Sequence, residues 1–214
     1  MKISVLTSIV GNRDRLREDY VRGSAKWIAY TDQPSDFWEV RKPYDKFIDP
    51  VRNAKIHKVL SHIYDDGADV SVWLDGNIGL NVPISQLVDE FLGDGDMWLM
   101  SHFSRKCLYD EAEERLTLEV DRDIHEQIHR YEREGMPRGY GLYECNVIIR
   151  MNTRLVRQVN ETWWAEVCSG SRRDQLSFTY ALWKSESMMS RPMVRTSEGN
   201  VREHPYFNYG SHAV

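Results

Sequence analysis

Short apolar runs alternate with longer segments of helical periodicity along most of the chain. The runs are rich in β-branched residues and end in turn-forming residues, a pattern typical of buried strands. They predict strands at residues 3–10, 26–31, 69–74, 96–100, 142–150 and 193–196. Segments with a period near 3.6 residues predict helices at residues 51–64, 83–92, 108–134, 153–168 and 172–184.

The alternation of strands with helices favours an α/β domain around a mostly parallel central sheet. The chain has 214 residues, enough for one core of this kind. We therefore predict a single domain over residues 1–214. Within it, we expect residues 185–214 to form an irregular C-terminal tail that closes the site.

Composition narrows the class of protein. There are 28 Lys and Arg against 33 Asp and Glu, a formal net charge of −5, which disfavours a nucleic-acid partner. No apolar run approaches the roughly 18 residues of a membrane span, and the apolar start of the chain reads as a strand rather than a leader. Three cysteines without CxxC spacing favour a reducing compartment. We expect a cytoplasmic protein, and a peripheral membrane contact of the aromatic tail stays open.

The strand at 69–74 ends in the turn Asp75-Gly76-Asn77. In open α/β sheets, ligands bind beyond the carboxyl ends of the strands. Two side-chain oxygens across a glycine can bind Mg²⁺ or Mn²⁺ together with phosphate oxygens of a substrate. The alternative is a simple turn that closes the strand.

Two further features, a pair of cations and a single acid, carry chemistry that a plain helix or strand does not need. Arg52 and Lys55 share one face near a helix N-terminus, where an anion would bind, although a solvated charged face is the alternative. Glu144 interrupts an apolar strand, and a buried carboxylate is costly unless it is paired. It is our candidate for a base, with a solvent-facing edge position as the alternative.

The segment Arg172-Arg173-Asp174-Gln175 opens the last helix. Asp174 favours the helix dipole there in any case. The functional interpretation is that Asp174 and Gln175 hydrogen-bond a sugar while Arg172 or Arg173 binds phosphate. His204, in the tail, is a candidate third metal ligand beside Asp75.

Six segments in this order resemble one known family. They are AYTD (29–32), RNAKIHK (52–58), SVWLDGNIGL (71–80), SHFSRKCLYDEAE (101–113), GLYECNVIIR (141–150) and RRDQLSFTY (172–180). The chain looks like the glycosyltransferase-like family of plant cell-wall and mucilage proteins and bacterial glycan clusters, long described as a domain of unknown function. The likeness runs over most of residues 1–185.

The resemblance implies a GT-A fold, an α/β/α sandwich that binds a nucleotide-activated sugar with Mn²⁺ or Mg²⁺. In such enzymes a D-x-D motif holds the metal, and Asn77 replaces its second acid here. The implied roles are metal binding by Asp75, Asn77 and His204, donor binding by Asp32, Arg52, Lys55, Arg172 and Arg173, and catalysis by Asp174, Gln175 and Glu144. The pair Asp174-Gln175 resembles the Asp-Gln pair of glycogenin-like transferases.

We therefore expect a glycosyltransferase that moves a sugar from a UDP- or GDP-sugar to a glycan or other hydroxyl acceptor in polysaccharide biosynthesis. Two alternatives stay open: a metal-dependent phosphoryl or nucleotidyl transferase, and a catalytically inactive glycan-binding module of the same fold. The sequence also leaves open the sugar, the base, the acceptor, the stereochemical course and the oligomeric state.

Overall fold

A seven-stranded sheet lies at the centre of the molecule. The computed structural model describes residues 1–11, 14–118, 122–188 and 193–210. The strands in these ranges are β1 (Ile3–Ile9), β2 (Lys26–Thr31), β3 (Glu39–Arg41), β4 (Val70–Leu74), β5 (Ile78–Leu80), β6 (Met97–Ser101), β7 (Tyr143–Met151), β8 (Val194–Ser197) and β9 (Phe207–Tyr209). The central sheet has the order β3-β2-β1-β4-β7-β6-β8, and β5 pairs with β9 in a separate ribbon.

Only β7 runs against its neighbours among the described strands of this sheet. It is antiparallel to β4 and β6, whereas β1 is parallel to β2 and β4, β2 to β3, and β6 to β8. The prediction of a mostly parallel α/β sheet is confirmed. The carboxyl ends of β1 and β4 consequently lie side by side at one edge of the sheet.

Helices cover both faces of the sheet. They are α1 (Pro50–Val59), α2 (Ser61–Tyr64), α3 (Ile84–Phe91), α4 (Leu108–Leu118), α5 (Arg122–Arg133), α6 (Arg154–Ser169) and α7 (Asp174–Ser185), followed by a 3₁₀ turn at Glu186–Met188. Alternate residues of each strand point to opposite faces. Val72 packs in the core with α3, whereas Trp73 packs in the core with α6 and α7.

The structure corrects the predicted elements at several places. The helix predicted at 51–64 is interrupted at Leu60, whose backbone leaves the helical region (φ −94°, ψ 42°). The helix predicted at 108–134 comprises α4 and α5, and residues 119–121 between them lie outside the described ranges. β3, β5 and β9 were not predicted, because three residues are too few to show alternation.

The C-terminal tail contains regular structure. β8 joins the edge of the central sheet and β9 pairs with β5, so the described tail is regular in part, whereas residues 198–206 between these strands form turns and loops. Residues 189–192 and 211–214 of the tail lie outside the described ranges. None of the helices that the structure describes combines the length and the apolar character needed to cross a bilayer.

Candidate active site

A cleft of about 840 Å³ opens at the carboxyl ends of β1 and β4. Its walls come from the end of β1, the first turns of α1, the turn after β4 and the segment that leads into α7. Open α/β sheets bind their ligands at this edge. The fold therefore places a ligand-sized cavity where the sequence predicted one.

Four charged side chains meet in this cleft, and we call Lys55, Lys58, Asp75 and Asp174 the charge cluster. Asp174 pairs through one carboxylate oxygen with Lys55 Nζ at 2.9 Å and through the other with Lys58 Nζ at 2.7 Å. Lys58 Nζ also lies 3.2 Å from Asp75 Oδ1, which accepts a hydrogen bond from Trp73 Nε1 at 2.6 Å. Lys58 thus bridges the two acids.

Asp174 and Lys58 are ionised at neutral pH because neighbouring charges of the cluster stabilise their charged forms. Burial alone would raise the pKa of Asp174, but the ammonium groups of Lys55 and Lys58 outweigh it and hold that pKa well below its ordinary value. Burial alone would lower the pKa of Lys58, but Asp174 and Asp75 outweigh it and raise that pKa. The cleft therefore presents fixed charges.

Helix α1 carries both lysines of the charge cluster. Asp49 caps its N-terminus by accepting a hydrogen bond from Val51 N, and Pro50 follows in the first helical position, where its missing N–H costs nothing. Lys55 and Lys58 are three residues apart and so share a face. Lys58 was not predicted as a site residue, although it continues the three-residue spacing of Arg52 and Lys55.

Arg52 has a different role from the one predicted. Its guanidinium donates to the carbonyl oxygens of Val167 at 3.1 Å and Gly170 at 2.8 Å, and it pairs with Asp49 at 3.2 Å. It ties the start of α1 to the end of α6 and is not among the described residues that line the cleft.

Replacing Arg52 by Met should therefore lower stability rather than ligand affinity. Loss of hydrogen bonds from a charged donor to two carbonyl groups should reduce the free energy of unfolding by about 1–3 kcal/mol. Urea unfolding measures this loss, and Lys55→Met is the matched variant inside the cleft. A larger loss of nucleotide binding in Arg52→Met than in Lys55→Met would contradict the assignment.

The cleft brings together six of the residues chosen from sequence. They are Lys55, Asp75, Asn77, Arg172, Arg173 and Asp174. Arg172 and Arg173 occupy the segment before α7, and the guanidinium of Arg172 lies 3.5 Å from the carboxylate of Asp49. These positions agree with the roles predicted for them, and the roles themselves stay predictions.

Besides Arg52, four predicted residues do not line the cleft in the part of the chain that the structure describes. Asp32 is exposed just beyond β2. Gln175 donates its side-chain amide to Tyr143 O at 3.3 Å. His204 lies against Phe91 of α3, and its Nδ1 accepts from Tyr206 N at 3.2 Å.

Glu144 is the fourth. It is buried and accepts a hydrogen bond from Asn146 Nδ2 at 3.1 Å. Burial raises its pKa. A register shift between Leu99 and Met100 of β6 places Glu144 opposite Met100, and the carbonyl oxygen of Asn146 accepts from Asp75 N at 2.9 Å. Glu144 is therefore connected to the turn after β4 through one residue.

Asp75 and Asn77 offer a carboxylate and an amide oxygen, which are the ligand types that a hard cation shared with a phosphate takes. Magnesium usually takes one or two protein oxygens, keeps several waters and binds substrate phosphates. Both residues line the cleft, and the described residues contain no group of three His, Cys, Asp or Glu side chains arranged for a metal. His212, the other histidine of the tail, lies outside the described ranges. The donor set thus suits a cation that arrives with its ligand.

Solved structures of glycosyltransferases have a fold similar to that of this chain. The WbbM bifunctional glycosyltransferase in its apo form superposes with a TM-score of 0.50 at 8% identity, covering 92% of this chain and 38% of that one. The galactosyltransferase LgtC, crystallised with donor and acceptor sugar analogues, gives 0.49 at 11% identity over 92% of this chain and 73% of its own. On the first of these likenesses, the fold is of the GT-A glycosyltransferase type.

Sequence matches are more specific. The family model described as the TOD1/MUCI70 glycosyltransferase-like domain matches residues 37–201, and the chain belongs to this family. The probable hexosyltransferase MUCI70 of Arabidopsis thaliana is 27% identical in an alignment of 145 residues that covers 62% of this chain and 25% of that protein. The chain thus spans about a quarter of that curated relative's length. The predicted resemblance is confirmed, and the match extends into the tail.

Proposed function

We propose that this chain is a glycosyltransferase domain that transfers a sugar from a nucleoside diphosphate sugar to a hydroxyl acceptor. The charge cluster in the cleft is the observation that carries the proposal. It combines anion-binding ammonium groups with two acids at the edge of the sheet where ligands bind. Membership of a glycosyltransferase-like family supports the same reaction class.

Cationic side chains would stabilise the departing nucleoside diphosphate. When the bond between sugar and phosphate breaks, negative charge grows on the leaving group, and preorganised cations stabilise that charge. Arg172, Arg173 and Lys55 line the cleft and would face the diphosphate. Asp75 and Asn77 would hold a Mn²⁺ or Mg²⁺ ion, which would supply further positive charge at the diphosphate.

Two acids, Asp174 at the start of α7 and Glu144 on β7, would orient the reacting groups. Asp174 stays ionised because of its lysine partners, so it would accept hydrogen bonds from sugar hydroxyls, with Gln175 beside it. Glu144 is our proposed base for the acceptor hydroxyl if the reaction inverts the anomeric centre. A raised pKa suits that role, because it increases the affinity of the carboxylate for a proton.

Isothermal titration with UDP and GDP tests the proposal directly. We expect heat of binding for at least one of them in the presence of Mn²⁺ and weaker binding in EDTA. Incubation with the matching sugar nucleotides should then release a nucleoside diphosphate, which mass spectrometry detects. Binding without turnover would favour the inactive glycan-binding alternative, whereas cleavage between the phosphates would favour the phosphoryl transferase. No binding of either nucleotide would overturn the proposal.

A further inference from the structure

We infer that Arg150 is a positioning residue that holds the end of α1 so that the ammonium group of Lys58 reaches Asp75 and Asp174. Arg150 lies on β7, an interior strand of the central sheet, and does not line the cleft in the described part of the chain. The inference is about how the charge cluster is built. Only its second test rests on the proposed function.

The contacts of Arg150 converge on the last turn of α1. Its side chain is fully buried, with 1% of the residue exposed. One terminal nitrogen donates to the carbonyl oxygen of Lys58 at 2.6 Å. The other donates to the carbonyl oxygen of Val59 at 3.4 Å and to Asn160 Oδ1 at 3.1 Å. One side chain therefore binds two successive carbonyl groups at the helix end.

A buried arginine at this point of the sheet is costly. Among the residues that the structure describes, the hydrogen-bond partners of Arg150 are two carbonyl groups and an amide, and no carboxylate forms an ion pair with it. Burial lowers the pKa of its guanidinium to about 10, and the charge of Asp65 opposes this only in part. An apolar side chain would fill the interior of β7 without that cost. The compensation that the structure shows is the carbonyl end of α1, where the helix dipole is negative.

The end of α1 needs such a partner. Val59 is the last residue of α1, Leu60 N donates the final helical hydrogen bond to Ile56 O at 2.9 Å, and the chain turns at Leu60 before α2 begins. The last carbonyl groups of a helix have no partner inside the helix. Because Arg150 holds the carbonyl of Lys58, it fixes the backbone from which that side chain extends. On the other side, the ammonium meets Asp174 at 2.7 Å and Asp75 at 3.2 Å.

The first test needs no nucleotide. Acetic anhydride modifies accessible lysines, and peptide mass spectrometry reports each site separately. We expect Lys58 to react more slowly than the exposed Lys46 in the native protein. In Arg150→Lys, the new ammonium group cannot contact both carbonyl groups. Acetylation of Lys58 should therefore become about tenfold faster, a change that corresponds to the loss of one charge-assisted hydrogen bond.

A matched control separates positioning from general stability. Asn160→Ala removes one buried partner of Arg150 but leaves both carbonyl contacts in place. It should lower the unfolding midpoint while Lys58 stays protected. Arg150→Gln, which keeps a neutral donor, serves if the lysine variant does not fold. Equal protection of Lys58 in the Arg150 and Asn160 variants would overturn the inference.

The second test uses UDP in the presence of Mn²⁺. Arg150→Lys should weaken binding about tenfold in the native background and less than about twofold when Lys58 is already methionine, since residues that act through one another are not additive. The same loss in both backgrounds would show that Arg150 acts by another route. If native protein binds no nucleotide, the proposed function fails while the labelling test still decides the role of Arg150.

Discussion

Replacement of Asp174 by Asn is expected to lower the free energy of unfolding by about 3–5 kcal/mol at pH 7, the cost of removing one partner from a buried ion pair. Asp174 neutralises both Lys55 and Lys58, and its side chain is only 11% exposed. Without its charge, two ammonium groups would face each other in the cleft with Asp75 as their remaining acid. Urea unfolding followed by tryptophan fluorescence measures the difference.

The pH dependence of this difference follows from the direction of the two pKa shifts. The pKa of Asp174 is lowered by folding, so its stabilisation is fully present above its unfolded value of about 3.9 and is lost as pH falls through the folded value. The pKa of Lys58 is raised, so its stabilisation is present below about 10.4 and is lost as pH rises through the folded value. The two proteins should therefore differ most between these limits.

Asp110→Asn supplies the control for this measurement. Asp110 lies on the surface and pairs with Arg138 at 3.2 Å, with half of its side chain exposed. Its replacement should change the free energy of unfolding by less than about 1 kcal/mol at any pH. If Asp174→Asn were as mild as this surface variant, the charge cluster would not be the stabilising feature that its geometry indicates.

The path of the main chain is largely predictable from local patterns in this protein. The apolar run at 69–74 and the turn after it place Asp75 correctly, because strand and turn chemistry depend on neighbouring residues. Most longer helices were also predicted. The break at Leu60 was not, because apolar positions on both sides keep the helical period and the chain turns against a buried arginine from β7.

Side-chain direction within one helix was not predictable. Arg52, Lys55 and Lys58 have the same spacing, yet Arg52 turns to carbonyl groups at the end of α6, more than 100 residues away in sequence. Periodicity gives a shared face but not the partners that the rest of the fold brings to it. Asp174, whose carboxylate pairs with Lys55 and Lys58, also lies more than 100 residues away from them in sequence.

The surroundings of Glu144 on β7 were likewise not predictable from local sequence. Its apolar surroundings indicated either a functional carboxylate or an exposed edge, and the edge alternative is wrong, because β7 lies between β4 and β6 and the residue is buried. The register shift between Leu99 and Met100 arises where β6 pairs with β7, and no local sequence pattern encodes the pairing of two distant strands. Its role as a base stays a prediction.

Replacement of Asp75 by Asn should abolish the effect of Mn²⁺ on nucleotide binding and reduce sugar transfer by about 10²–10³-fold, as the loss of a preorganised electrostatic contact does in other enzymes. The carboxamide oxygen can still accept the hydrogen bond from Trp73, and Asp75 is more than one-third exposed. The fold should therefore tolerate the change. Titration of UDP with Mn²⁺ and with EDTA, together with product release, measures the effect.

The other end of the same strand offers the control for that experiment. Asp69 precedes β4, is exposed, and accepts a hydrogen bond from Lys2 N at 2.6 Å far from the carboxyl edge of the sheet. Asp69→Asn removes an equal charge and should leave nucleotide binding unchanged. Because both variants carry the same net charge, any difference between them reports the position of the carboxylate. Retained Mn²⁺ dependence in Asp75→Asn would mean that the cation is held elsewhere, and Asp75 would then serve only as a partner of Lys58.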